Sequence, residues 1–185
     1  MRSVNTRTLL IMSVLLLSAL AAPRAQAPKP LDIYFIDVEG GQATLFVTPS
    51  GESMLIDTGH PGQGDRDLNR VLATIKDAGL TKLDYLLVTH YHSDHVGTTG
   101  TGMIGLLSDF ATPFAVGEFI HVQDDGAEFM APSRRTFETV QRLIGTWQSH
   151  GRIGTSTRPS FGTSQIDLGS GVSGRYPRLR RQGAG

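Results

Sequence analysis

Apolar residues in the first half of the chain alternate with polar ones or form short runs, which is the pattern of β-strands. Four such segments are LDIYFIDV, ATLFVT, SMLID and LDYLLV, at residues 31–38, 43–48, 53–57 and 83–88. A turn signal, PSG, separates the second segment from the third. The first three segments therefore predict a β-meander, and the last, an apolar run followed by polar residues, predicts a buried strand.

A helical stripe of apolar residues lies between the third and fourth strand segments. Its members are spaced three and four residues apart: Leu68, Val71, Leu72, Ile75 and Ala78. We predict a helix here, with Asp65 or Asp67 as its N-cap and Gly79 as its C-terminal stop. The strand, helix, strand order predicts a layered α/β domain.

Beyond residue 100 the periodicity is weaker. Residues 103–110 predict a short helix, 118–122 a strand, and the stripe in RRTFETVQRLIGTWQS, residues 134–149, a second long helix. From residue 151 the periodicity stops. Residues 151–185 contain eight Gly and five Ser, too little apolar surface to offset the entropy of ordering, so we predict a disordered Gly/Ser/Arg-rich tail.

The N-terminus has the pattern of an export signal. Arg2 and Arg7 precede an apolar stretch at 9–22, and AQA at 25–27 is a small-residue cleavage site. We predict a signal peptide at 1–27 and a periplasmic or secreted mature protein. An uncleaved membrane anchor is the alternative, although the apolar stretch is shorter than the roughly 20 residues of a spanning helix, so we expect no stable membrane span.

Composition narrows the classes of partner and site. The chain contains no Cys, so disulfides are excluded and a metal site has to use His, Asp and Glu. Formal net charge is zero, but residues 28–150 hold 16 acidic against 8 basic side chains and residues 151–185 hold 1 against 6. An acidic body is a poor match for a nucleic-acid backbone. This favours a small-molecule substrate over nucleic acid.

Three histidines and an aspartate follow the fourth strand segment within six residues, in THYHSDHVG. His90 and His92 lie two apart, so in an extended stretch they project to one side and can share a cation. Asp94 and His95 lie in the following turn and can reach a second one. Imidazole and carboxylate ligands suit zinc, with manganese or iron as alternatives on ligand type. We predict a site for one or two metal ions that activates water for hydrolysis.

THYHSDHVG resembles the HxHxDH signature of the metallo-β-lactamase superfamily of metallohydrolases. LIDTG at 55–59 resembles the strand-end Asp-Thr-Gly of that family, and IDVEGGQATLFVTPSG at 36–51 resembles the opening of the ComEC-type subgroup, found on DNA-uptake channel proteins. The resemblance covers about residues 31–122. It implies an αββα sandwich with the metal site at one edge of the sheets.

The resemblance also implies a role for each residue of the motif. His90 and His92 hold the first metal, and Asp94 and His95 hold the second. Asp94 additionally orients the attacking water, which makes it the candidate catalytic residue. Asp57 is implied to support the site without binding metal.

A complete site of that family needs a further His, a bridging Asp and a last His downstream. This chain offers only His121 and His150 after the motif, then Asp167 with no His beyond it. His150 is the candidate further ligand. We therefore expect a metallo-β-lactamase-like domain at 28–150 that corresponds to the N-terminal half of the sandwich, followed by a truncated or frame-shifted terminus.

Three functions fit these observations to different degrees. The first is an exported zinc-dependent hydrolase acting on an ester, lactam, thioester or phosphoester. A truncated, non-catalytic metal-binding remnant is the second, favoured by the missing downstream ligands. The third, a nuclease-like role suggested by the ComEC-type opening, fits the acidic body poorly. Oligomeric state and the identity of the substrate are not encoded in any pattern that we recognise.

Overall fold

The computed structural model describes residues 29–98, 100–111, 114–121, 131–160, 162–169 and 171–174. The predicted signal peptide, residues 1–27, lies outside the described residues. Within the described part of the chain, no helix is long and apolar enough to cross a membrane.

A six-stranded mixed sheet forms the centre of the domain, and its strands lie side by side in the order in which the chain makes them. The strands are β1 Asp32–Phe35, β2 Thr44–Val47, β3 Ser53–Ile56, β4 Leu83–Val88, β5 Val116–His121 and β6 Ile153–Thr157. The first three pair antiparallel, which confirms the β-meander. From β3 to β6 neighbouring strands are parallel, so their carboxyl ends share one edge of the sheet.

Among the described residues, four helices connect the strands or follow them closely in the chain: α1 Gly62–Asp77, α2 Ser93–Val96, α3 Gly102–Ser108 and α4 Ala131–Ser149. Side chains of α1, α3 and α4 bury one face of the sheet, where the main core is formed. Its most buried members include Leu45, Leu55, Leu86, Phe119, Val71, Ile104, Val140 and Trp147. Both predicted helical stripes face this core, because three- and four-residue spacing places apolar side chains on one side of a helix.

The ends of α1 differ in how well the sequence predicted them. Gly79 adopts a φ of 73° directly after the C-cap Ala78, which confirms the predicted stop. The predicted N-cap was wrong: the helix begins at Gly62 after Pro61, and Asp65 and Asp67 lie inside it. Asp67 is fully buried and accepts the backbone N–H of His60 at 2.9 Å, so its carboxylate secures the preceding loop.

Asp84 links β3 to β4 through polar contacts. Its Oδ2 accepts hydrogen bonds from the backbone N–H and the hydroxyl of Ser53 at 2.9 and 3.1 Å, and its Oδ1 lies 2.8 Å from Lys82 Nζ. Burial raises the pKa of Asp84, but the hydrogen bonds from Lys82 and Ser53 outweigh burial and hold the pKa below its usual range.

The second face of the sheet is covered by a short hairpin, β7 Ile166–Asp167 with β8 Ser173–Gly174. Ile166 and Leu168 pack there with sheet residues that include Met54, Leu87 and Ile120. The hairpin does not cover β1, where Phe35 is 85% exposed. The described part of the chain is thus a mixed α/β fold with a six-stranded central sheet, helices on one face of it and a two-stranded hairpin on the other, consistent with the α/β sandwich of the metallo-β-lactamase type.

The prediction of a disordered tail was wrong for residues 151–160, 162–169 and 171–174, which the structure describes. Ile153–Thr157 forms β6, which pairs with β5 over its length. Arg152 is buried and donates from Nη2 to the carbonyls of Leu106 and Asp109 at 3.0 and 2.7 Å. Only Ile153 of this strand is apolar, so no hydrophobic pattern marked it, and the domain continues past residue 150. Residues 175–185 lie outside the described residues.

Candidate metal centre

The carboxyl ends of β3 and β4 bring the polar residues of the sequence motifs together. Asp57 directly follows β3, and Thr89 and His90 directly follow β4. Asp57 donates its backbone N–H to the carbonyl of Leu87 at 2.9 Å, so the two strand ends remain in register to this point. Because β3 and β4 are parallel, residues 30 or more positions apart in sequence become neighbours here.

Asp57 is fully buried, and its carboxylate organises the site. Oδ1 accepts the backbone N–H of Thr89 at 2.8 Å, and Oδ2 accepts the hydroxyl of Thr89 at 2.6 Å. Oδ2 also lies 2.8 Å from Nδ1 of His95. When Nδ1 of His95 carries the proton, Nε2 is left as the free ligand atom, an arrangement typical of metal-binding histidines that a carboxylate orients.

Two further contacts hold the turn that carries Asp94 and His95. The backbone N–H and the hydroxyl of Thr58 both donate to the carbonyl of His95, at 2.9 and 3.0 Å. Gly41 lies against the backbone of Asp94 so closely that a Cβ atom there would overlap the Asp94 carbonyl oxygen. The turn is therefore fixed from both sides, by the end of β3 and by the loop before β2.

The four residues of the motif form two pairs of donor atoms. His90 Nε2 lies 2.9 Å from His92 Nδ1, and Asp94 Oδ2 lies 3.5 Å from His95 Nε2. Two nitrogen ligands of one tetrahedral zinc ion lie about 3.3 Å apart, since each Zn–N bond is about 2.0–2.1 Å long. The donor types and the spacing within each pair thus fit a divalent metal such as zinc.

The two pairs adjoin one another, because the rings of His90 and His95 are 3.8 Å apart between centroids. Burial lowers the pKa of His90, and the adjacent His95 and His92 rings lower it further by disfavouring another positive charge. A lowered pKa keeps His90 neutral near pH 7, which is the form that binds a metal. Thr89 Oγ1 lies 3.1 Å from His90 Nδ1, which leaves Nε2 as the other ligand atom.

The number of ligands is smaller than the resemblance implied. Among the described residues, no three His, Asp or Glu side chains are grouped to hold one ion. His121 is buried at the end of β5, and its ring nitrogens contact the hydroxyls of Tyr91 at 2.7 Å and Ser156 at 3.2 Å. Both of its ring nitrogens are thus engaged by hydroxyl groups and contact none of the donor atoms of His90, His92, Asp94 or His95. Burial also raises the pKa of Tyr91, so its hydroxyl stays protonated.

His150 and Asp167 are not brought to the motif. His150 precedes β6 at the amino edge of the parallel strands, opposite the edge that carries the motif. Its ring stacks on Phe110 at 4.0 Å and its Nδ1 lies 2.9 Å from the carbonyl of Thr146. Asp167 lies in the hairpin, where its Oδ1 accepts the backbone N–H of Gly169 at 2.9 Å. The candidate further ligand His150 therefore does not join the other four residues.

An open cavity of about 590 Å³ lies beside the motif. One wall is the motif turn and the other is the first part of α4; the lining residues are His92, Ser93, Asp94, Thr98, Ser133, Arg135, Thr136 and Thr139. Its volume is in the range of small-molecule sites. Sequence reasoning missed the α4 wall, because those residues form the polar side of an amphipathic helix and carry no motif, and it missed Thr89, whose role depends on contact with Asp57.

Comparison with known proteins agrees with the geometry of this edge. Residues 36–101 match the Metallo-beta-lactamase superfamily. The matched segment runs from the end of β1 to the start of α3 and contains Asp57 and the whole histidine motif. A UPF0173 metal-dependent hydrolase of Staphylococcus saprophyticus is 36% identical to this chain over 59 residues, which are 32% of this chain and 22% of that protein. The chain matches about a fifth of that relative's length.

Proposed function

We propose that this chain is an exported, zinc-dependent hydrolase of small molecules, whose metal site is built from His90, His92, Asp94 and His95. The observation that carries the proposal is the pair of donor sets at the carboxyl edge of the sheet, with Asp57 buried behind His95. A metal ion in such a site supplies Lewis acidity at neutral pH. Export rests on the signal-like residues 1–27, and zinc rests on the ligand types.

The protein's own residues perform the remaining tasks of the reaction. Asp57 holds the proton on Nδ1 of His95, so that Nε2 faces Asp94. Asp94 also lines the cavity, where its carboxylate would accept a hydrogen bond from the attacking water and direct the water towards the substrate. The cavity of about 590 Å³ has room for a small ester, lactam, thioester or phosphoester.

A second candidate function is a metal-binding remnant without catalysis. It is favoured by the absence, among the described residues, of a third ligand for either donor pair, since catalytic zinc sites have three protein ligands. The resemblance of residues 36–51 to the ComEC-type subgroup stays a prediction. The excess of acidic residues in 28–150 does not support a nuclease function.

Metal stoichiometry and hydrolysis by the purified chain test the proposal. We expect elemental analysis after dialysis to find one to two zinc ions per chain, with a thermal midpoint that falls on chelation. His92→Ala is expected to lose both bound zinc and hydrolysis of 4-nitrophenyl esters. His150→Ala is the matched control, because it removes an exposed histidine from the opposite edge of the sheet.

The outcomes separate the two candidate functions. Zinc that is bound and lost in His92→Ala, without hydrolysis in the wild type, would favour the remnant. No retained zinc, or equal loss in both variants, would refute the metal site itself. Zinc-dependent turnover that His92→Ala abolishes and His150→Ala preserves would establish the hydrolase.

A further inference from the structure

The wall of the cavity that faces the motif is rich in hydrogen-bonding groups, and its described residues include one cation, Arg135. Ser133, Arg135, Thr136 and Thr139 lie within the first nine residues of α4 and line the cavity together. Arg135 is exposed and forms no ion pair with any residue that the structure describes. An arginine without an acidic partner in a concave polar site is suited to bind a carboxylate or phosphate, because its planar guanidinium donates two parallel hydrogen bonds.

Ser133 is a second hydrogen-bonding group of this wall. Only 5% of the residue is exposed, and the residue lines the cavity. A hydroxyl held at the surface of a cavity can donate a hydrogen bond to an anionic group that enters it. The amino end of α4 lies at the same place, where the helix dipole favours a negative charge.

Among the described residues that line the cavity, Asp94 is the one with an acidic side chain. Under the proposed function Asp94 binds a metal ion, so its charge is compensated and Arg135 is left as the cation of the cavity. We infer that the substrate is a small molecule with an anionic group, a carboxylate or a phosphate, which Arg135 binds while the cleaved bond lies at the motif. Arg135 is in this inference a specificity-determining residue and takes no part in bond cleavage.

Paired substrates test the inference on the full, zinc-loaded chain. The mono-4-nitrophenyl ester of adipic acid carries a free carboxylate, its methyl ester is the neutral match, and 4-nitrophenyl 5-phosphonopentanoate is the phosphate-like arm. Arg135→Gln is expected to raise KM for the charged esters at least about fivefold, as expected for the loss of a charge-assisted contact at an exposed site. The substitution should leave kcat for the charged esters, and both kcat and KM for the neutral ester, within about twofold of the wild-type values.

Arg134→Gln is the matched control, because it removes the same charge one residue earlier at a position outside the cavity lining. An equal loss in Arg134→Gln, or an equal effect of Arg135→Gln on charged and neutral esters, would overturn the inference. The two charged arms show whether carboxylate or phosphonate is preferred.

A second measurement keeps the inference testable when no ester is hydrolysed, an outcome that would count against the proposed function alone. Adipate and inorganic phosphate are then titrated into the full chain, and binding is followed by NMR chemical shifts. Saturable binding that Arg135→Gln weakens at least about fivefold and Arg134→Gln does not would support the anion site. Binding that is absent, or unaffected by Arg135→Gln, would refute it.

Discussion

Asp57→Asn separates the structural role of the buried carboxylate from its role in orienting His95. The substitution preserves shape, and Asn adopts the φ of 55° found at this position more readily than most residues do. The side-chain oxygen of Asn can still accept the hydrogen bond from the backbone N–H of Thr89, which Oδ1 of Asp57 accepts at 2.8 Å in the wild type. Its NH₂ group, in contrast, replaces the acceptor that lies 2.8 Å from His95 Nδ1.

Two magnitudes follow from these contacts. Net hydrogen bonds to a charged group contribute about 1.5–3 kcal/mol each, and Asn retains part of the set, so we expect the free energy of unfolding to fall by about 1–3 kcal/mol. The amide donates to Nδ1 of His95 and so moves the imidazole proton to Nε2, the atom next to Asp94. Because Nε2 is then unavailable as a ligand, zinc affinity should fall about 10–100-fold.

The assay measures the two effects separately. Urea denaturation in the presence of chelator gives the stability of the metal-free chain, and competition with a chromophoric chelator gives zinc affinity. Asp37→Asn is the control, because the Asp37 side chain is 84% exposed and pairs only with Arg70 among the described residues. In a double-mutant cycle, Asp57→Asn should have little further effect on zinc affinity once His95 is Ala. Unchanged zinc affinity in Asp57→Asn, or full additivity with His95→Ala, would refute the orienting role.

Two further substitutions test the contacts around the site and the sheet. Gly41→Ala should lower the free energy of unfolding by about 1–3 kcal/mol and weaken zinc binding, because its Cβ would overlap the carbonyl of Asp94. Gly145→Ala, which meets no atom within 4 Å, is the control in the same denaturation assay, and an equal loss there would count against this explanation. Asp84→Asn should destabilise the protein by about 1 kcal/mol at pH 7. Because the pKa of Asp84 is lowered in the fold, its stabilisation is complete well above the ordinary Asp pKa of about 3.9 and is lost as pH falls through the lower folded value. The stability difference between wild type and variant should therefore shrink in urea titrations at decreasing pH, and a constant difference would contradict the assignment.

Local sequence patterns predicted the elements that bury apolar side chains at a regular spacing. The strand at 83–88 matches β4 residue for residue, and the stripe from Leu68 to Ala78 predicted most of α1. β6 was missed because only Ile153 in it is apolar, and its position depends on pairing with β5. The N-cap of α1 was missed because Asp67 forms its hydrogen bond with the loop before the helix.

The candidate metal centre was predictable as far as its residues adjoin in sequence. His90, His92, Asp94 and His95 occupy one short segment, and the structure brings their donor atoms into two pairs. Contacts between distant segments were not predictable in the same way. His150 lies far from the motif because it precedes the amino end of β6, which pairs parallel with β5. Arg135 lies at the cavity because α4 packs across from the motif.

The strands lie in the sheet in the same order as in the chain, and this affects the order in which the sheet can assemble during synthesis. Each strand of the six-stranded sheet after β1 pairs with the strand synthesised just before it. No strand therefore has to wait for a distant partner, and sheet assembly can follow the direction of synthesis. Asp57 and the histidine motif lie together once β4 has joined β3, whereas α4, which carries Arg135, is made more than 30 residues later. In a nascent chain the candidate metal ligands thus come together before the wall that is proposed to bind an anion.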